Sequence, residues 1–92
     1  MKAEELREQR QKIDAIDQEI VALLEKRMAV VSQIAAIKGD SQVVYDPARE
    51  AVVLEQVAEL VQQKDYQMAI QQTFKDVMKH SRNYQNQQLK QG

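Results

Sequence analysis

Between Ala3 and Lys38 the apolar residues recur at helical spacing. At about 100° per residue, Ile13, Ile16, Ile20, Leu23, Leu24, Val31 and Ile34 fall in one arc about 100° wide. No Gly or Pro interrupts the chain before Lys38, and good helix formers dominate, so the pattern predicts one helix over about 3–38. Gly39-Asp40-Ser41 stops it, with Gly at the C′ position and Lys38 favourably placed against the carboxy-terminal dipole. Val43-Val44-Tyr45 reads as an extended tether packed on the helices, since no other segment offers a strand to pair with. Asp46 as N-cap and Pro47 at N1 open a second helix over about 47–63, whose apolar face is Val53, Leu54, Val57, Leu60 and Val61. After a break at Lys64-Asp65-Tyr66, a third helix over about 67–87 carries Ile70, Phe74, Val77 and Met78. The polar stretch from Asn86 to Gly92 is expected to fray. The expectation is an all-α chain, a single domain over residues 1–92, with three helices and a long N-terminal one.

Each of these apolar faces is broken by polar residues. Arg27 and Lys38 lie in the middle of the first stripe, Glu50 precedes Val53 and Leu54 by one turn on the second, and Ser81 and Gln85 continue the third. Each exception has an ordinary account by itself: a Glu50–Arg27 salt bridge, a Lys38 head reaching water at the helix end, a third helix leaving the core. A charged head buried without a partner costs several kcal/mol or more. That all three helices make the same exception, with more cation than anion, points to a polar pocket for an anionic ligand.

Composition narrows the choice. Only 4% of the 92 residues are aromatic, so Leu, Ile, Val, Met and Ala must fill the core, as in helical bundles. The net charge of -1 arises from 13 basic and 14 acidic residues spread along the chain, which argues against a nucleic-acid groove or an anionic membrane as partner. The absence of cysteine excludes disulfides and thiolate metal sites and fits a reducing cytoplasm. No apolar h-region opens the chain and no apolar run approaches a membrane span, which predicts a soluble, unprocessed, cytoplasmic protein.

Length makes a separate demand. A helix of about 35 residues is about 50 Å long, whereas a compact domain of this size is only about 30 Å across. Such a stripe needs a second chain to cover it, and a homodimer is the simplest source. Arg10, at the edge of the stripe, lies seventeen residues before Arg27, hence about 25 Å away along a straight helix. If two copies pair antiparallel about a two-fold near Val21 to Leu24, Arg10 of one chain comes level with the Arg27 to Lys38 segment of the other. Two equivalent pockets follow, each with one borrowed arginine.

The runs Arg10-Gln-Lys-Ile13-Asp-Ala-Ile16-Asp17, Leu23-Leu24-Glu25-Lys26-Arg27, Ile37-Lys38 and Val44-Tyr-Asp46-Pro47-Ala-Arg49-Glu50 together resemble the signature of the all-helical chorismate mutases. Ser81 and Gln85 fall where the third helix of that family offers its polar pair. The resemblance covers nearly the whole chain and implies an intertwined three-helix homodimer that rearranges chorismate to prephenate without a cofactor, a step of aromatic amino-acid biosynthesis. It implies that Arg27 and the partner's Arg10 hold the substrate carboxylates, with help from Ser81. Lys38 and Gln85 would donate to the ether oxygen, and Glu50 would accept from the ring hydroxyl with help from the backbone near Asp46. Arg49 belongs to the pattern, in contact with substrate or as electrostatic support.

Two other readings stay open at this level. An isochorismate-pyruvate lyase uses a similar cationic pocket on the same fold, although Glu50 and Ser81 favour the mutase. A non-catalytic helical dimer that regulates an aromatic-pathway enzyme is the alternative from another class, although apolar residues at Arg27 and Lys38 would stabilise such a dimer better. Whether the domain acts alone or docked on another enzyme of the pathway is not fixed by the sequence. His80, Arg7, Lys12 and Lys26 lie off the stripes and read as solvated surface, and Tyr45 reads as packing the tether.

Overall fold

A computed structural model describes residues 1–38 and 45–91, with the side chains of 1–37 and 45–88. The stop at Gly39-Asp40-Ser41, the tether residues Val43 and Val44, and the Lys38 side chain lie outside the described set. Among the described residues there are three α-helices and no strand: α1 (Lys2–Lys38), α2 (Pro47–Leu60) and α3 (Gln67–Gln91), with a 3-10 turn over Lys64–Tyr66 between the last two. None of these helices is long and apolar enough to cross a membrane.

The chain divides into two compact units, Met1–Gln33 and Ile34–Gly92. The first consists of α1 residues. Glu4 and Glu5 occupy the first turn, where acidic side chains oppose the positive end of the helix dipole. Met1 begins the hydrogen-bonding, its carbonyl accepting from the backbone N–H of Glu4 at 3.2 Å and of Glu5 at 3.1 Å. With 37 residues, α1 is about 55 Å long. Its predicted apolar stripe is present but bare in the single chain: Ile13, Ile16 and Leu23 are 55, 54 and 62% exposed. Leu24, Arg27 and Val31 are partly buried.

The second unit is built on an antiparallel hairpin of α2 and α3. Asp46 caps α2 as its sequence position predicts, with Oδ1 accepting from the backbone N–H of Arg49 at 3.0 Å, while Pro47 occupies the start of the helix. Val57, Val61 and Met78 are buried between the helices, and Val53, Leu54, Ile70, Phe74 and Val77 are partly buried around them. A side-chain bond crosses the hairpin where the Gln71 amide donates to the Leu54 carbonyl at 3.1 Å.

Two helix ends differ from the expected ones. α2 stops at Leu60 rather than near Gln63, because the backbone of Val61 turns extended (φ -69°, ψ 117°) and carries that side chain into the core. The Val61 N–H still bonds the Val57 carbonyl at 3.1 Å, and the Lys64 ammonium donates to the Ala58 carbonyl at 2.9 Å. Both satisfy carbonyls that a helix end leaves open. Leu60, expected on the apolar face, is instead 77% exposed as the last residue of α2. α3 runs on to Gln91 rather than fraying from Asn86. No Gly or Pro falls between Gln67 and Gln91, and Gln and Lys have helix propensities close to that of Leu.

The cap is open to test. Asp46→Ala should lower stability by about 1 kcal/mol, with Asp46→Asn within a few tenths of the parent. Urea unfolding followed by circular dichroism measures this, and equal midpoints for Asp46→Ala and the parent would remove the cap from the account.

Candidate active site

The first turn of α2 carries three of the residues singled out in the sequence. Asp46 and Arg49 are exposed, Asp46 being engaged as the cap, and Glu50 is partly buried one turn before Val53 and Leu54. The Glu50 N–H closes the turn on the Asp46 carbonyl at 3.0 Å. Glu50 therefore leaves from a fixed backbone towards α3.

It meets Arg82 there. Arg82 Nε lies 3.1 Å from Glu50 Oε2, with side chains 24 and 20% exposed respectively. The distance is that of an ion pair, but Nε is shielded from solvent and has no hydrogen-bond partner among the described residues. Its N–H is not directed at the carboxylate, so attraction between the charges, not an aligned hydrogen bond, holds the pair. On its other side the guanidinium carbon sits 4.4 Å from the centroid of the Tyr45 ring, within the range of a cation–π contact. Tyr45, expected to pack the tether, thus has a more specific task as the platform under Arg82.

Ser81 and Gln85 lie one turn apart on α3. Ser81 is 7% exposed, as buried as the core residue Val57, and Gln85 is partly buried. With Met78 and Arg82 they occupy one arc about 100° wide. The polar stretch of this face therefore starts directly after the apolar core and lies on the same side of the helix.

Arg10 and Arg27 belong to the Met1–Gln33 unit. Arg10 is exposed and Arg27 partly buried. Lys38 is the last residue of α1, and the place of its ammonium lies outside the described side chains. The structure thus brings together Glu50, Arg82 and Tyr45 within the second unit, with Ser81 and Gln85 on the same face of α3 as Arg82.

Arg82 has no place in the sequence-level assignment, which gave Glu50 either a substrate or Arg27. The signal for it was present: Arg82 stands four residues after Met78 and three before Gln85, both same-face spacings. A charged residue late in a polar helix ordinarily means solvent, and nothing within α3 itself marks an anion across from Arg82. His80, next in line, is exposed as expected, as are Arg7, Lys12 and Lys26.

Among the described residues no group of three or more His, Cys, Asp or Glu is placed to hold a metal ion. The polar set on the α2–α3 hairpin is instead the Glu50 carboxylate beside the Arg82 guanidinium, with the Ser81 hydroxyl and the Gln85 amide on the same face of α3 as Arg82. A family model described as chorismate mutase type II matches residues 9–86. The chain belongs to the type II chorismate mutase family. No curated protein and no solved structure gives a significant match. The match begins one residue before Arg10 and ends one residue after Gln85, so it encloses every position that carries the chorismate mutase resemblance. It encloses Arg82 as well.

Proposed function

We propose that the chain is a chorismate mutase, converting chorismate to prephenate as a single 1–92 domain that works as an intertwined homodimer. The observation that carries this reading is the placement of Glu50, Ser81 and Gln85 on the buried sides of α2 and α3 in a chain of this family. Apolar residues there would stabilise the hairpin more. A site for a polar substrate accounts for their presence.

In the proposed reaction the substrate supplies both bonds that change: one carbon–oxygen bond breaks as one carbon–carbon bond forms, in a unimolecular [3,3] shift. The protein can accelerate such a step by holding the flexible enolpyruvyl arm over the ring and by stabilising charge that develops in the transition state. Arg27 and the partner chain's Arg10 serve the first task, their guanidinium forks matching carboxylate geometry, and Ser81 adds a hydroxyl. Lys38 and Gln85 serve the second as donors to the ether oxygen, which becomes more negative as its bond lengthens. Glu50 accepts from the ring hydroxyl, near the Asp46 backbone, and Arg49 contributes positive potential at the rim. No cofactor enters this chemistry.

The bare stripe of α1 supports the dimer. Apolar surface contributes roughly 25 cal/mol per Å² when it leaves water, and a continuous exposed row of this kind marks an association surface. A two-fold pairing along α1 covers the row and delivers Arg10 to the other chain's site. We place the enzyme in the cytoplasm, in aromatic amino-acid biosynthesis, acting alone or docked on another enzyme of that pathway.

Incubation with chorismate and with isochorismate in separate reactions, with products identified by chromatography, tests the activity. Prephenate from chorismate is expected; pyruvate release from isochorismate alone would replace the mutase by a lyase, and no turnover of either would leave a non-catalytic dimer. Lys38→Ala should reduce turnover by several orders of magnitude with the dimer intact. Mixing inactive Arg10→Ala and Lys38→Ala chains should restore about a quarter of the parent activity, because half the dimers are mixed and each mixed dimer has one complete site. Mixtures that stay inactive after subunit exchange would rule out the borrowed arginine.

Gln85 gives a pH test. An amide donates at any pH, whereas a glutamate must be protonated to donate, so Gln85→Glu should lose activity as pH rises through the carboxyl pKa while the parent stays level. Overlapping pH–rate profiles would remove Gln85 from the ether oxygen.

A further inference from the structure

Arg82 takes no part in the reaction proposed above, yet its guanidinium lies between two elements that frame the site. It sits 3.1 Å from Glu50 Oε2 on one side and 4.4 Å from the Tyr45 ring centroid on the other. Tyr45 directly precedes Asp46, the cap of α2, and Glu50 follows in the first turn, so one arginine of α3 fastens both ends of that turn. We infer that Arg82 is a positioning residue for Glu50: seated on the Tyr45 ring, it holds the carboxylate by charge and leaves its acceptor sites to the substrate's ring hydroxyl. The inference rests on the proposed role of Glu50.

Three features support it. First, the Arg82 Nε–H is not aligned with Glu50 although the atoms are close. A bidentate arginine would occupy both carboxylate oxygens, whereas a misaligned one orients the group and spares its lone pairs, of which a carboxylate has about four sites. Second, a planar guanidinium can lie on an aromatic face while facing an anion at its edge, which an ammonium cannot do as well. Third, Arg82 adjoins Ser81 and lies one turn from Gln85, so the residue that places Glu50 is built into the segment of α3 that meets the substrate.

The test is a double-mutant cycle on the full chain, with kcat and KM for chorismate measured for the parent, Arg82→Met, Glu50→Ala and the double variant. The ring hydroxyl is held before and during the rearrangement, so loss of its acceptor should appear mainly in KM. Arg82→Met should raise KM by about tenfold in the parent background and by less than about twofold when Glu50 is already Ala. A merely structural arginine would lower the active fraction, hence apparent kcat, with KM unchanged. An unchanged KM in Arg82→Met, or an equal rise in both backgrounds, would overturn the inference, the second showing that Arg82 acts on the substrate independently. If Glu50→Ala leaves KM and kcat intact in an active enzyme, the role of Glu50 itself is wrong; if the parent does not turn over chorismate, the proposed function is wrong. Should Arg82→Met lose its helical signal, Arg82→Lys replaces it, and a smaller KM rise that again vanishes in the Glu50→Ala background is required.

Discussion

A charge on the burial face of a helix must find an opposite charge or stay in contact with water, and the α2–α3 hairpin meets this requirement at Glu50 and Arg82. Each of these residues alone would be a defect in an apolar interface. Together they form a pair 3.1 Å apart that joins the first turn of α2 to the late turns of α3. The hairpin thus has an apolar region, Val57, Val61 and Met78, and a polar region within about two turns of it. The apolar region holds the helices in register; the polar region is where chemistry can be placed.

The same division recurs on α1 at larger scale. Its stripe of Ile13, Ile16, Ile20, Leu23 and Ile34 is largely exposed in the single chain, with Arg27 partly buried on the same face. Apolar burial is non-directional and favours any covering surface, whereas a guanidinium restricts what that surface can carry. In the proposed dimer a second copy of α1 covers the row, and the proposed substrate is an anion that Arg27 helps to hold. The family match over residues 9–86 spans both the exposed stripe and Arg27.

Helices suit this chemistry because their side chains leave from rigid mounts. The Asp46 cap and Pro47 fix the first turn of α2, so that Glu50 starts from a defined point. Its far end is fixed differently, by a cation that is itself held on an aromatic ring. Rigid placement of acceptors and donors is what the proposed unimolecular rearrangement would ask of the protein, as the substrate already contains every atom that the reaction needs.

Three helices, the Asp46 cap and the polar exceptions on each apolar face were legible in the sequence, because helical period and capping depend on residues within a few positions of one another. The spacing of Arg10, Arg27, Lys38, the Asp46 to Glu50 block, Ser81 and Gln85 carried the family for the same reason. The tertiary structure decided what lies across from each face. Glu50 finds Arg82, Tyr45 lies under that arginine, Leu60 turns to solvent, and an extended Val61 ends α2 early. These facts depend on how one helix is rotated and shifted against its neighbour, which no periodicity within a single helix contains.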